Sequence, residues 1–255
     1  MLVESAGRRV TVTLDRPDRR NAQTPATWRA LEAVGEAVTA GDDVACVVLR
    51  ANGPSFSAGL DRAMLTHGVD GEPGLRALAA LPDDELDDRI AGFQRAFTWW
   101  REVDAVTVAA VQGHAVGAGL QLALACDLRV VADDVALAMR ETSLGLVPDL
   151  GGTTPLVRAV GYARALEICA TGRRVGAEEA VRWGLAAAAV PREELDETVD
   201  DLVAALLEPP DGAVAAVKRL LRGAEHRPRG EQLAAERAEQ RTRMRALARG
   251  TVGGS

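Results

Sequence analysis

The chain contains an uncharged stretch, residues 105–126, that is bounded by Asp104 and Asp127. Its 22 residues are enough for a single helix to cross a lipid bilayer. However, Gln112, His114 and Gln121 and three glycines interrupt it. The pattern predicts a buried strand over residues 106–111, a glycine-rich turn, and a helix over residues 117–125. Each element is too short to span a bilayer, so we predict that the stretch forms the buried core of an α/β domain.

Strands and helices are predicted to alternate on both sides of this stretch. Thr24 and Pro25 are typical of a helix N-terminus, because threonine is a favourable cap and proline fits the first turn. Apolar runs predict the other strands, and apolar residues at helical spacing predict a second long helix. The strands are expected at residues 10–14, 44–49 and 128–131, and the helix at residues 90–101. Elements in this order favour an α/β core with parallel strand pairing.

The C-terminal part of the chain differs from the rest because it is helical and rich in charged residues. Amphipathic patterns predict helices over residues 193–207, 213–221 and 231–249. These helices are too polar to form a core of their own, so we expect them to pack on the rest of the chain or on another subunit. We therefore divide the chain into a core, residues 1–195, and a helical C-terminal region, residues 196–255, that takes part in oligomerisation.

Charge and composition argue against nucleic acid as a partner and favour one cellular location. The net charge is −7 and Lys and Arg form no block, which argues against nucleic acid because neutralising phosphates needs clustered positive charge. An anionic small ligand stays compatible, since a few local donors can hold phosphates. The three scattered cysteines and the lack of an apolar signal-peptide core at the N-terminus favour a cytoplasmic protein.

The glycines at positions 117 and 119 begin a motif that also occurs in nucleotide-binding turns. A dinucleotide site needs a third glycine, but Leu122 takes its place, and Asp127 follows too early to bind a ribose. Two other uses stay open: close packing of helix on strand, or exposed backbone N–H groups that bind an oxyanion. Ser57 lacks the frame of a nucleophilic serine, and the three histidines lack zinc-ligand spacing.

Two carboxylates, Glu141 and Asp149, lie in an otherwise apolar and turn-rich stretch. Asp149 precedes a Leu-Gly-Gly-Thr sequence, which favours a helix-capping role, with the helix beginning near Gly151. Alternatively, the two carboxylates divide the roles of acid and base, because burial raises a carboxyl pKa toward neutrality. The residue types alone favour the cap for Asp149.

Three motifs occur in one order along the chain: FSAGLD at residues 56–61, GHAVGAGLQLALACD within residues 108–134, and ETSLGLVPDLGG within residues 140–191. Together they resemble the crotonase superfamily, also called the enoyl-CoA hydratase/isomerase family. The resemblance extends over roughly residues 8–250. It implies a crotonase-like spiral of β-β-α units with a helical C-terminal region. It also implies a homotrimer or a dimer of trimers, and an acyl-CoA thioester as the ligand.

The resemblance further implies how the thioester is bound. Its carbonyl oxygen would lie in an oxyanion hole made by the backbone N–H groups of Leu60 and Ala118, with Ala58 and Asp61 along the coenzyme A. Fixed donors of this kind stabilise the enolate charge that develops in a site with little water. Neither a metal nor a redox cofactor is expected, since coenzyme A is part of the substrate.

The acid and base groups depart from the pattern of typical enoyl-CoA hydratases, which carry two glutamates beside the double bond. Here Gln121 occupies the first position and Glu141 the second. A glutamine cannot accept a proton at neutral pH, although it can hydrogen-bond a water or the substrate. Asp149 lies where some isomerases of the superfamily carry an acid. We therefore expect Glu141 and Asp149 to form the acid–base pair, with Gln121 as a polar positioner.

The resemblance thus predicts an enoyl-CoA hydratase or an enoyl-CoA isomerase, and the residues leave both reactions open. A non-catalytic acyl-CoA-binding protein, or a CoA-thioester lyase or hydrolase on the same scaffold, are the alternatives. The acyl chain is expected to lie against apolar side chains between residues 62 and 100, which would equally fit a plain core. They are Met64, Leu65, Leu75, Leu78, Phe93, Phe97 and Trp100.

Overall fold

The computed structural model describes residues 1–41 and 43–249. Strands and helices alternate along these residues, as expected for an α/β chain. The strands are β1 (Leu2–Ala6), β2 (Arg9–Leu14), β3 (Cys46–Ala51), β4 (Val106–Val111), β5 (His114–Val116), β6 (Leu128–Ala132), β7 (Ala136–Ala138) and β8 (Ala188–Val190). The helices are α1 (Pro25–Ala40), α2 (Leu75–Leu78), α3 (Asp83–Glu102), α4 (Ala118–Ala125), α5 (Thr153–Val160), α6 (Tyr162–Thr171), α7 (Ala177–Arg182), α8 (Leu195–Leu207), α9 (Ala213–Ala224) and α10 (Arg229–Ala248).

The main sheet has the strand order β1-β2-β3-β4-β6-β8. β1 is antiparallel to β2, and every later pairing in this sheet is parallel, which confirms the predicted α/β core. Helices α1, α3 and α4 cover one face of the sheet, and α8 covers the other. β4 lies inside the sheet and is buried along its whole length, because both of its faces are covered.

The uncharged stretch forms the centre of this fold. It comprises β4, the short strand β5 and α4, and every residue of α4 is buried. The glycine-rich turn predicted there contains a strand, because residues of β5 pair with β7 and Ala115 forms a bridge to Ser57. Within residues 1–41 and 43–249, no helix is both long and apolar enough to cross a membrane.

The long helices α1 and α3 pack against each other on one face of the sheet. Thr24 caps α1 as predicted, since its hydroxyl oxygen accepts the N–H of Thr27. Gly35 of α1 admits the ring of Trp99, because a Cβ at this glycine would lie 2.5 Å from that ring. α3 begins at Asp83, earlier than its apolar stripe predicts. Three acidic residues in its first turn interact favourably with the positive end of the helix dipole. This interaction stabilises the additional turns at the N-terminus of α3.

The C-terminal helices confirm the predicted helical region, and two of them pack on the core. α8 buries Leu195, Val199 and Val203 against the second face of the sheet. α9 lies beside the end of α3, where Lys218 and Arg222 donate to backbone carbonyl groups of the last turn. Cations are favourable there because the carbonyl groups at a helix C-terminus lack intrahelical partners.

The last helix, α10, differs from the others in its exposure. It buries none of its residues in the chain described by the structure, in keeping with its charged sequence. The division into a core, residues 1–195, and a C-terminal region, residues 196–255, stays a prediction. Residues 250–255 of that second part lie outside the described residues.

A buried ion pair between Lys218 and Asp127 fastens α9 to the core. The ammonium group lies 2.7 Å from Asp127 Oδ2, and only 8 % of the Lys218 side chain is exposed. The same carboxylate oxygen accepts the backbone N–H and the hydroxyl group of Thr107, at 2.8 and 2.9 Å. The pair therefore joins α9 to β4 and to the turn that follows α4.

We expect Lys218→Met to lower the free energy of unfolding by about 2–3 kcal/mol, because the largely buried Asp127 carboxylate loses its counter-charge. The hydrogen bonds from Thr107 remain and limit the loss. Urea unfolding followed by circular dichroism measures the change. Arg182→Met is the control, since it removes an exposed ion pair with Glu178 and should cost less than about 1 kcal/mol. Equal losses in the two variants would contradict a stabilising role of the buried pair.

Candidate active site

The FSAGLD and GAG motifs lie side by side in close backbone contact. Val116 N–H donates to the carbonyl oxygen of Ser57 at 3.0 Å. Gly59 has a φ of +88°, and a Cβ at this position would lie 2.4 Å from the carbonyl oxygen of Val116. A Cβ at Gly119 would lie 2.5 Å from the carbonyl oxygen of Ser57. Both positions therefore require glycine, because any larger residue would push the two segments apart.

This contact brings together two backbone N–H groups, those of Leu60 and Ala118. Ala118 is the first residue of α4, where an N–H has no acceptor within the helix. The N–H of Asp61 donates to the carbonyl oxygen of Gln23 at 2.8 Å, but the N–H of Leu60 finds no acceptor in the described ranges. A Cβ on Gly59 would lie 3.6 Å from the nitrogen of Ala118, so the two segments meet beside both donors.

The carboxylate of Glu141 lies next to the GAG motif. Glu141 begins the 3₁₀ helix Glu141–Leu144, and its Oε1 would lie 3.3 Å from a Cβ on Gly117. Gln121 Nε2 donates to this Oε1 at 2.7 Å. Oε2 is buried and has no hydrogen-bond partner within the described part of the chain. A buried carboxylate oxygen without a partner is costly, so Oε2 is a candidate for contact with a bound group.

Burial raises the pKa of Glu141 above its usual value, and hydrogen bonds from its own backbone and from Gln121 partly offset this effect. The negative charge of Asp149 makes a smaller contribution that raises the pKa of Glu141 further. Burial also raises the pKa of Asp149, and a hydrogen bond from its own backbone partly offsets this effect. Neighbouring carboxyl groups with raised pKa values are typical of acid–base sites.

The side-chain amide of Gln121 is buried and engaged at both ends. Its Oε1 accepts the backbone N–H groups of Leu150 and Gly152, at 2.9 and 3.3 Å. Its Nε2 faces Glu141, so the partners on the two sides fix which way the amide points. Both acceptor positions of the amide oxygen are occupied, and one N–H of Nε2 is left for a further partner.

The predicted helix cap at Asp149 is wrong. α5 begins at Thr153, its N-cap is Gly152, and its first turn has no side-chain cap. Asp149 lies too far upstream, because a capping side chain reaches the N–H groups two or three residues after its own. The loop is held in another way: Gln94 Nε2 donates to the backbone carbonyl oxygen of Asp149 at 2.7 Å.

The residues expected along the coenzyme A lie at the edge of this site. The N–H of Ala58 donates to the carbonyl oxygen of Arg20 at 2.8 Å, and Ala58 is exposed. The Asp61 carboxylate pairs with Arg16 at 3.2 Å and accepts the N–H of Ala63 at 3.1 Å. The Asp61 side chain is therefore engaged in shaping its own loop.

Gln23 joins the two motifs, a role for which the sequence carries no signal because the partners are distant along the chain. It is fully buried. Its Nε2 donates to Ser57 Oγ at 3.2 Å and to the carbonyl oxygen of Ala118 at 3.3 Å. Its Oε1 accepts Trp28 Nε1 at 2.8 Å. One buried amide thus fixes the spacing between the two segments that carry the free N–H groups.

The apolar residues expected to line an acyl pocket fall into two groups. The buried ones are Met64, Leu78, Phe97 and Trp100, and the half-buried ones are Leu65, Leu75 and Phe93. Trp100 stacks on Trp99 with ring centroids 4.0 Å apart, which makes it part of the core. Only the half-buried group keeps appreciable exposed surface for contact with a ligand.

Comparison with known proteins shows that the chain is similar to members of one enzyme family. The sequence profile of the enoyl-CoA hydratase/isomerase family matches residues 9–246. EchA17 of Mycobacterium tuberculosis, provisionally assigned as an enoyl-CoA hydratase, is 35 % identical over 242 residues, which span 95 % of this chain and 86 % of that protein. A crystal structure from Thermobifida fusca, also provisionally assigned as an enoyl-CoA hydratase and complexed with acetoacetyl-CoA, is 45 % identical. It superposes with a TM-score of 0.90 over 95 % of this chain and 93 % of its own.

The raised pKa of Glu141 predicts a stability that depends on pH. The folded protein binds this proton more tightly than the unfolded chain, so ionisation of Glu141 costs stability as pH rises above the usual glutamate range. We expect Glu141→Gln, which cannot ionise, to gain in melting temperature relative to the parent as pH rises from the usual glutamate range through the raised pKa of Glu141. Glu178→Gln, at an exposed glutamate, is the control. A difference between parent and Glu141→Gln that is constant with pH would contradict the assignment.

Proposed function

The chain belongs to the enoyl-CoA hydratase/isomerase family, and from that premise we propose that this enzyme shifts the double bond of an enoyl-CoA thioester through an enolate. The substrate class is supported by the Thermobifida fusca relative, which was crystallised with acetoacetyl-CoA. Within this class, a 3-enoyl-CoA would lose a proton from the carbon next to the thioester carbonyl and regain one further along the chain. The product would be the 2-enoyl-CoA of unchanged mass.

The N–H groups of Leu60 and Ala118 would hold the thioester carbonyl oxygen as an oxyanion hole. Proton removal moves negative charge onto this oxygen, and backbone donors fixed by the contact at Gly59 and Gly119 need no reorganisation to stabilise it. The sequence left two uses of these glycines open, close packing and oxyanion binding, and the structure contains the close packing. We propose that the N–H groups aligned by this packing also bind the oxyanion.

The proposal depends most on one observation: Glu141 Oε2 is buried beside the GAG motif and has no hydrogen-bond partner in the described residues. This oxygen would take the proton from the carbon next to the carbonyl. Its raised pKa suits the task, because a base that binds its proton more tightly removes one from carbon more effectively, provided that it is ionised at the working pH. Gln121 would keep Oε1 in place, so that Oε2 faces the substrate.

The occupied amide of Gln121 favours the double-bond shift over hydration. Hydration in typical members of the family uses a second carboxylate to hold the attacking water. Gln121 Oε1 already accepts two backbone N–H groups and cannot accept a third bond from a water. A double-bond shift can proceed with one carboxylate that removes and returns a proton, and Asp149 is available as its partner acid.

Hydration is the second candidate, because EchA17 and the Thermobifida fusca protein are both provisionally assigned as hydratases. In that reaction Glu141 and Asp149 would hold the water between them. The oxyanion hole would serve in the same way, since addition of water to a 2-enoyl-CoA also develops enolate charge on the thioester oxygen.

The proposal also includes the coenzyme A contacts, the lack of a need for a cofactor, and the oligomeric state. Ala58 and Asp61 would lie along the coenzyme A, and neither reaction needs a metal or a redox cofactor. We also propose a homotrimer or a dimer of trimers. Exposed apolar side chains between residues 144 and 166 support assembly, because such side chains are commonly covered by a partner. They are Leu144, Leu146, Val147, Val157, Tyr162 and Leu166.

Incubation with matched 2-enoyl-CoA and 3-enoyl-CoA esters, followed by chromatography and product mass, tests which reaction occurs. We expect conversion of the 3-enoyl ester to the 2-enoyl ester at unchanged mass. Gain of one water by the 2-enoyl ester, without any shift of the 3-enoyl ester, would replace isomerisation by hydration. Release of free coenzyme A would indicate a hydrolase. Binding without any product would indicate a non-catalytic acyl-CoA-binding protein.

Glu141→Gln should lower kcat by about 10²- to 10⁴-fold, because it removes the general base. Acyl-CoA binding should change little, since the donors of Leu60 and Ala118 remain. In the parent, activity should fall as pH drops through the raised pKa of Glu141, so the acid limb lies above the usual glutamate range. Glu178→Gln, at an exposed site, should keep parental activity. Turnover by Glu141→Gln at the parental rate would remove Glu141 from the mechanism.

A further inference from the structure

The loop that carries Asp149 has no regular structure to hold it. It runs from the end of the 3₁₀ helix Glu141–Leu144 to the start of α5. The helix that follows is not capped by a side chain, and Gly151 adopts a positive φ of +86°. Asp149 is exposed as a residue, although its carboxyl group is partly buried. The position of this carboxylate therefore depends on contacts that the loop backbone makes with neighbouring elements.

Two glutamine side chains from two different helices make such contacts. Gln121 of α4 accepts the N–H groups of Leu150 and Gly152, at 2.9 and 3.3 Å, just after Asp149. Gln94 of α3 donates to the carbonyl oxygen of Asp149 itself, at 2.7 Å. The peptide between Asp149 and Leu150 is thus held from two sides, at its carbonyl oxygen by Gln94 and at its N–H group by Gln121.

The two contacts differ in what else they hold. Gln121 also bonds Glu141 at 2.7 Å, so a change at Gln121 disturbs both carboxylates. Gln94 lies on the same helix as Phe93 and Phe97, whose rings pack on Trp28 with centroids 4.8 and 6.0 Å away. This packing anchors the part of α3 that carries Gln94, so its amide has a fixed point from which to hold the loop.

We infer that Gln94 is a positioning residue that sets the place of the Asp149 carboxylate relative to Glu141. The inference rests on the proposed role of Asp149 as partner acid. Gln94 does not touch the reacting atoms in this assignment. It acts through the Asp149 backbone, and its loss lets the loop shift while Glu141, Gln121 and the two backbone donors stay in place. Small displacements of a catalytic group are sufficient to lower rates, because proton transfer requires close and aligned groups.

The test compares Gln94→Met with Thr98→Met, each in the parent and in the Asp149→Asn background. Methionine keeps the length of glutamine but cannot donate to the carbonyl oxygen. Thr98 lies one turn later on α3 and is exposed, so it is a matched control for an added methionine. Melting temperature checks folding, and kcat, KM and the pH profile are measured with 2-enoyl-CoA and 3-enoyl-CoA esters.

We expect Gln94→Met to lower kcat about tenfold with KM changed less than about twofold, since a displaced acid loses part of its 10²- to 10⁴-fold contribution. In the Asp149→Asn background the same substitution should have little further effect, because residues that act through one group are not additive. Thr98→Met should match its parent in both backgrounds.

The alternative outcomes separate this inference from the proposed function. The inference about Gln94 would be overturned if Gln94→Met kept the parental kcat, or if its tenfold loss persisted undiminished in the Asp149→Asn background. In either case, a loss of kcat in Asp149→Asn by itself would still support the role of Asp149. Parental kcat in Asp149→Asn would remove Asp149 from the proposed mechanism, and the positioning role of Gln94 with it.

Discussion

Close backbone contact between the segments around Gly59 and Gly119 is the constraint on which the site depends. A side chain at either glycine would meet a carbonyl oxygen of the facing segment, at 2.4 or 2.5 Å. Because both are glycine, the first turn of α4 comes up against the segment that contains Leu60, in the centre of an uncharged core. Buried amides such as Gln23 then fix the spacing. The proposed oxyanion hole follows from this packing rather than from any specialised side chain.

Gln121 links the segments that carry the two candidate acid–base residues. The amide nitrogen donates to Glu141, and the amide oxygen accepts N–H groups of the loop after Asp149. The amide therefore connects the segments that carry the two carboxylates, but it does not ionise and cannot act as an acid or a base. A glutamate at position 121 would direct a carboxylate toward the carboxylate of Glu141, and two like charges so close raise the pKa of at least one of the groups. In the proposed mechanism, the amide at position 121 leaves Glu141 as the base that faces the GAG motif.

Much of the fold could be predicted from local patterns, because a buried strand, a helix cap and an apolar helix face each leave a mark in sequence. Thr24 and β4 illustrate this. The family motifs pointed to Glu141 and Ala118 as candidate site residues, and their roles stay a prediction. The cap expected at Asp149 failed because local composition does not reveal where a helix begins after two glycines. Gln23 and Gln94 carried no signal, since each bonds backbone atoms far away in the chain, and such contacts exist only once the fold has formed.

The most direct test of an enolate made by Glu141 is hydrogen exchange in heavy water with butanoyl-CoA, a saturated ester that can be neither hydrated nor isomerised. Mass spectrometry would follow deuterium uptake at the carbon next to the thioester carbonyl, in the parent protein and in Glu141→Gln. We predict uptake catalysed by the parent and none above background with Glu141→Gln. Equal uptake with both proteins, or none with a parent that binds the ester, would contradict the proposed chemistry.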